Sequence, residues 1–425
     1  MYNLRTLDNG IRLLTASVPH AMSVSTCIYV ASGSRYEEDE KAGVSHFLEH
    51  MVFKGTPRRP SALEISGSIE RVGGLMNAST DREITSYWCK VALPHFADTL
   101  DVIVDMLRNP LLAQEEVEKE RGVIQEELAM TNDYPDYRVS LLTDQMLWPD
   151  QPMGRDVGGT RESVESLSRD TMIDWFRHQY GASSIVISIA GGLSDDEVLA
   201  TLLPKLKQWP SNAPYNLQPT VNRNSKSHQA RLEYRETEQA HLSISFTGIG
   251  RSHPDRFRLD LMCAVLGEGM SSRLFLQVRE NLGLVYDIHS SASHYSDTGS
   301  IVIDFGVDPA KATLAVGTIL EELDKIKQGV TEEELHRARE LLKGRLLLRM
   351  EDTRALAAWS GVQELLTNNI LSVAEVVDFL DAVQPNDIST IASRFLKRDE
   401  LNLAVVGPYQ DIEPFKLALS QWKSD

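Results

Sequence analysis

Apolar and polar positions change period repeatedly along this chain, and the changes mark its elements. The opening LRTLDNGIRLLTAS is strand-like. From Val24, VSTCIYVASGSRYEE alternates as a strand and runs into Gly-Ser-Arg; from Leu242, LSISFTGIGRSHPD alternates and runs into Gly-Arg-Ser. LLAQEEVEKERGVIQEEL from Leu111 has a helical period, as has VTEEELHRARELLKGRL from Val330, and each follows a long amphipathic helix. Val72-Gly73-Gly74-Leu75 and Leu282-Gly283-Leu284-Val285 occupy matching places after a helix. The same landmarks in the same order make an internal repeat, which sets Glu120 opposite Ala338 and Glu127 opposite Arg345.

Each half mixes strands and helices, and neighbouring strands lie close enough in sequence to pair antiparallel. The pattern predicts an α+β fold of two homologous domains, each a mainly antiparallel sheet packed with helices. WPSNAPYNLQPTVNR, from Trp209 to Arg223, has three prolines and no apolar period, and a charged stretch follows it. The expected division is therefore residues 1–210, a linker over 211–232, and 233–425.

Composition narrows the function. A chain of 425 residues with 42% hydrophobic content can bury two cores. No window of 18 apolar residues occurs, and the chain opens on a strand pattern instead of a basic segment followed by an apolar block. The expectation is a soluble cytoplasmic protein with no membrane span. Cys27, Cys89 and Cys263 are odd in number, widely spaced and set in apolar surroundings, as buried free thiols of a reducing compartment would be. A formal net charge of −18 without a dense Lys/Arg cluster argues against a nucleic-acid partner, and none is expected.

The sharpest chemical signal is GVSHFLEHMVFKGT. Val44 to Phe53 is apolar except for Ser45, His46, Glu49 and His50, and it stops at Lys54-Gly55-Thr56-Pro57. On a helix His46 and His50, at i and i+4, share a face where two imidazoles can hold one tetrahedral zinc, and Glu49 beside them can reach a metal-bound water. This is the inverted form of the His-Glu-x-x-His arrangement; the plainer alternative is a pair of satisfied core histidines. A third ligand must come from another helix. EEVEKERGVIQEELAM puts Glu116, Glu120, Val123 and Glu127 on one stripe, which by itself reads as a solvated face.

His46-Phe47-Leu48-Glu49-His50, the 76 intervening residues 51–126, and then Glu127 resemble the pitrilysin or insulinase family of zinc metallopeptidases. So do Leu7-Asp8-Asn9-Gly10, Gly33-Ser34-Arg35-Tyr36-Glu37, Phe53-Lys54-Gly55-Thr56 and Gly73-Gly74-Leu75-Met76-Asn77-Ala78-Ser79-Thr80. The likeness spans nearly the whole chain and is closest to short bacterial enzymes similar to subunits of the mitochondrial processing peptidase. It implies a zinc endopeptidase acting on peptides or unfolded polypeptides in a closed chamber, with one zinc per chain on His46, His50 and Glu127. Glu49 becomes the general base, Glu126 is set aside as ligand, and Glu120 stands behind a zinc histidine.

The second half has no histidine between His253 and His289 and resembles the family's non-catalytic copy. Its VRENLGLVYDIHS supplies Arg279 and Tyr286, matching a family pair that reaches toward substrate, where a phenol can stabilise an oxyanion. A half-buried strand aromatic is the plainer reading of Tyr286. Leu266 to Arg273, LGEGMSSR, matches a family loop. Asn77, Ala78, Ser79 and Thr80 precede DREITSYWCKV, a strand expected to offer an exposed edge to extended substrate; an Asn-capped turn is the alternative for Asn77. Where the mitochondrial enzyme has acidic residues past its glutamate ligand, this chain has Tyr137 and Leu141, with Asp133 and Asp136 nearby. Because one chain holds both the zinc set and the Arg/Tyr pair, a homodimer with shared active sites is expected. The alternatives are a non-catalytic scaffold subunit and a subunit of a hetero-oligomeric processing peptidase.

Overall fold

In the computed structural model, which describes residues 2–221 and 229–422, eleven strands form two sheets. The first contains β1 (Asn3–Thr6), β2 (Arg12–Ser17), β3 (Ser23–Val30), β4 (Leu75–Thr80), β5 (Thr85–Ala92) and β6 (Ile185–Gly191), ordered β1-β2-β6-β3-β5-β4. The second contains β7 (Gln229–Tyr234), β8 (Ala240–Thr247), β9 (Val285–His294), β10 (Gly299–Val307) and β11 (Asn402–Gly407), ordered β7-β11-β8-β10-β9. Matching β2 to β7, β6 to β11, β3 to β8, β5 to β10 and β4 to β9 makes the two orders identical apart from β1. The pairing senses match as well. β2 with β6 and β7 with β11 run parallel, and every other pairing is antiparallel. Gly73 and Gly283, both left-handed at φ 68° and 57°, lead into β4 and β9, a turn that a residue without Cβ makes at little cost. The α+β class and the repeat are thus present in three dimensions.

Five helices of the first half position the site: α1 (Val44–Met51), α2 (Ala62–Glu70), α3 (Phe96–Arg108), α4 (Gln114–Asp133) and α5 (Pro135–Leu147). Two compact units gather non-contiguous stretches of chain. One holds Met1–Ala129, Arg155–Gln218 and Leu347–Ser372; the other holds Met130–Gly154, Pro219–Leu346 and Val373–Asp425. In the first unit β3, rich in β-branched and aromatic residues, is buried on both faces. Val24, Ile28 and Val30 join the main core with α1 and α3. Cys27 and Tyr29 face the helix Thr353–Thr367 through Ala357. Two buried hydroxyl pairs fasten that helix, Ser25 to Thr353 at 2.9 Å and Ser188 to Ser360 at 3.1 Å. In the second unit α5 lies on β8 and β11, packing Val139 and Met146 against Ala404 and Val406. Each sheet is therefore covered by a helix that the sequence places in the opposite half.

Residues 222–228 of the expected linker lie outside the described residues. DREITSYWCKV does not supply the free edge expected of it. Its strand, β5, is bonded on one side to β3 and on the other to β4, so the free edge belongs to β4. All three cysteines are buried and unpaired, and burial pushes each thiol up to about 12. Among the described residues no helix is long and apolar enough to cross a membrane.

Candidate metal centre

The short helix α1 buries Val44, Phe47, Leu48 and Met51, which leaves His46, Glu49 and His50 together on its other side. Its start is held from outside. Gly43, the residue before the helix, has φ 89°, and a Cβ there would stand 2.5 Å from the carbonyl oxygen of Gly158, so the approach requires glycine. No side chain of Gly43 can cap the helix. The buried Glu37 does so instead, accepting from the backbone N–H of Gly43 at 2.8 Å and of Ser45 at 2.9 Å. Burial raises the Glu37 carboxyl above its ordinary range, and those N–H donors oppose the rise.

The third group comes from α4. Val117, Glu120 and Ile124 form its buried line, spaced by three and four residues, and Glu127 continues it three residues on. The stripe expected from the sequence shifts by one position, since Glu116 lies at its margin and Val123 is exposed. The ligand-type atoms of His46, His50 and Glu127 lie within 4.8 Å of one another. Nε2 of His46 is 3.9 Å, and Nε2 of His50 3.6 Å, from Oε2 of Glu127. Glu126 points elsewhere and is exposed.

Behind this triangle His50 Nδ1 is bonded to Glu120 Oε1 at 2.8 Å, and Lys54 Nζ reaches Glu120 Oε2 at 2.5 Å. A carboxylate can only accept, so Nδ1 carries the hydrogen and the Nε2 lone pair is turned toward Glu127. Two imidazoles and a carboxylate are a donor set that suits zinc, and the fixed tautomer of His50 leaves the needed lone pair facing the other two groups. The residues fit that ion. Burial lowers His46, reinforced by the charge of His50 and opposed by Glu127 and Asp156. Burial also works to lower His50, but the bond to Glu120 and the surrounding carboxylates win and raise it. For Glu120 burial acts upward, yet its bonds to His50 and Lys54 leave it below the ordinary value.

Glu49 is not part of the triangle. Thr80 at the end of β4 donates to its Oε2 at 2.5 Å, and burial raises its carboxyl despite that bond. Asn77, Ala78 and Ser79 precede Thr80 along the open side of β4, with Asn77 and Ser79 exposed. Lys54 and Glu37 carry no chemical signal of their own in the sequence, although both fall inside stretches that carry the family likeness.

In the other unit Arg279 sits on a π-helical segment, Phe275–Asn281, with its guanidinium 4.6 Å from the centre of the Phe275 ring and 5.1 Å from that of Tyr286. Tyr286 falls at a bulge. Val285 pairs with Val307 and Asp287 with Gly306, so Tyr286 is the extra residue, and it is 75% exposed. It is not the half-buried strand aromatic of the plainer reading. The Leu266 to Arg273 loop turns at Gly269, where Ser272 donates back to the Gly269 carbonyl at 2.8 Å, and Arg273 grips Glu334. Tyr137 and Leu141 lie on α5, Asp133 at the end of α4 and Asp136 at the start of α5, both acids exposed.

Comparison with known proteins points one way. Residues 12–161 match the family described as insulinase (peptidase family M16), and residues 166–342 match its companion, the peptidase M16 inactive domain. An uncharacterized zinc protease of Streptomyces coelicolor is 35% identical, with the match covering 97% of this chain and 91% of its own length. One from Bacillus subtilis is 34% identical over 95% of this chain and 97% of its own. A crystal structure of a protease from Helicobacter pylori superposes with a TM-score of 0.91 at 18% identity, covering 96% of this chain and 99% of that one.

Proposed function

We propose that this chain, which belongs to the insulinase family (peptidase family M16), is a zinc-dependent endopeptidase that hydrolyses peptides or unfolded polypeptides. The observation that carries the reading is the triangle of His46, His50 and Glu127 with Glu49 alongside it. A zinc ion held there, one per chain, supplies Lewis acidity toward a carbonyl oxygen and toward water. The remaining work falls to the chain's own groups. Glu49 removes a proton from the attacking water and delivers it to the nitrogen of the departing amine, so one peptide bond and one water become a carboxylate and an amine. Thr80 fixes one oxygen of Glu49 and thereby its direction.

Substrate is held in extended form along the free edge of β4 by backbone hydrogen bonds, with Asn77, Ala78 and Ser79 in contact. Arg279 and Tyr286 are assigned to the carbonyl oxygen that gains charge, Tyr286 as donor. In the sense of the repeat, residues 1–210 are the catalytic domain and 233–425 the domain carrying that pair, joined across 211–232. A homodimer brings the pair of one chain to the zinc of the other. The cytoplasm is the expected location.

The test separates base from ligand. Glu49→Gln is expected to lose at least about 1,000-fold in turnover of an unstructured peptide while retaining zinc. Metal analysis and a cleavage assay on the same sample decide it. Lost zinc, or turnover near wild type, removes Glu49 from this role.

A further inference from the structure

Glu49 and His50 form part of the wall of a cavity of ≈ 470 Å³, a volume typical of ligand pockets. Phe53 after α1, Ile69 of α2, and Leu75 and Met76 of β4 give it apolar sides. Its charges are unequal in what they are free to do. Glu49 is engaged by Thr80, and Glu120 is engaged by His50 and Lys54, which also neutralises the Lys54 ammonium. Glu70, the last residue of α2, lines the same cavity, is exposed, and makes no side-chain hydrogen bond or ion pair among the described residues. Apolar sides and one uncommitted carboxylate describe the complement of a long aliphatic stem that ends in a cation.

Gly74 to Ala78 of the β4 edge also run along the cavity, so a peptide paired with that edge presents alternate side chains to it, one of them next to Glu49. We propose that this cavity is a specificity subsite for a Lys or Arg side chain flanking the scissile bond, its stem against Phe53, Ile69 and Met76 and its charge on Glu70. The inference rests on the peptidase reading and adds to it the class of side chain selected. A leucine would bury its apolar surface there but leave Glu70 partly desolvated and unpaired. A glutamate would meet the carboxylates of Glu70 and Glu49 and be rejected. The preference for Lys over Leu is about ten-fold, the size of one partly exposed ion pair together with the desolvation it relieves.

The experiment uses the full zinc-loaded chain and a set of unstructured peptides identical except for Lys, Arg, Leu or Glu at each position in turn, with cleavage sites mapped by mass spectrometry. The wild type is expected to favour Lys and Arg over Leu by about ten-fold in kcat/KM at one fixed position beside the cut bond, with Glu poorest. In Glu70→Gln the Lys-to-Leu ratio falls to near unity, and in Glu70→Lys the order of Lys and Glu inverts. Cleavage by the wild type without a basic preference at any flanking position, or a wild-type ratio retained in Glu70→Gln, overturns the subsite and leaves the peptidase reading standing. Failure of the wild type to cut any peptide removes the peptidase reading, and the subsite falls with it.

Discussion

Glu120 shows how much one side chain can settle. It is 5% exposed on a helix whose neighbouring residues are mostly charged and solvated, and it meets a ring nitrogen and an ammonium at once. By holding the hydrogen of His50 on Nδ1 it makes Nε2 available, and by accepting Lys54 it keeps its own charge in a buried place. The expected order of metal loss follows from these positions. Glu127→Gln, which removes a charged donor, weakens zinc binding most; Glu120→Gln weakens it by about 10-fold; Glu126→Gln, on a side chain turned about 100° away around the helix, leaves it unchanged. Competition against a chromogenic chelator measures all three. Equal losses in Glu126→Gln and Glu127→Gln would remove Glu127 from the centre.

Elements carry two further consequences. Helix α1 has only two turns and no cap of its own, so Glu37 supplies the acceptors for its first N–H groups. In Glu37→Gln one oxygen becomes an NH₂ that faces a backbone donor, and a loss of about 2 kcal/mol in urea unfolding is expected. Zinc affinity should fall with it, because both histidines ride on that helix, whereas an unchanged urea midpoint would dismiss the clamp. The second element is the helix Glu332–Arg349, whose start is tied by Glu334. Arg273 donates to that carboxylate at 2.6 and 3.0 Å and the Thr331 N–H at 2.9 Å, and although burial acts upward these bonds hold it at about 2 instead of its ordinary 4.5. A depressed folded-state value contributes stability that is present above about 4.5 and is lost as pH falls toward about 2. Thermal unfolding of Glu334→Gln should thus be lower than wild type at pH 7 and converge with it near pH 2. A constant gap across that window would show that the charge is not what stabilises.

At the scale of the whole molecule the central matter is where Arg279 and Tyr286 act. The guanidinium lies over the Tyr286 ring, and Tyr286, at a bulge of β9, is exposed. If each zinc centre takes the pair from a partner subunit, Glu49→Gln and Tyr286→Phe, each nearly inactive, should complement when mixed under conditions that exchange subunits. One site of a mixed dimer then unites both lesions and the other has neither. With half of the dimers mixed, roughly a quarter of wild-type activity returns by twofold counting. Demonstrated exchange with no recovered activity would confine the pair to its own chain, and activity appearing only with a different partner chain would favour the hetero-oligomeric alternative.

Local chemistry was legible from the residues alone: the i, i+4 histidines of α1, the strand periods of β3 and β8, and the repeated order of landmarks all depend on neighbours a few positions away. The proposed third ligand, Glu127 of α4, was not legible in that way. A stripe of carboxylates on a helix looks the same whether water or a metal centre faces it, and only the likeness to a family singled out Glu127. Packing decided what no period can encode. It buried Glu120 against His50 and Lys54, set Glu37 under the start of α1, and gave the free edge to β4 instead of β5, because a strand's neighbours are fixed by sheet order. It also laid the helix Thr353–Thr367 on the first sheet and α5 on the second, exchanging helices between halves that read as separate in the sequence. An amphipathic helix announces that it will cover an apolar surface, but which surface depends on contacts hundreds of residues apart, and those exist only once the chain has folded.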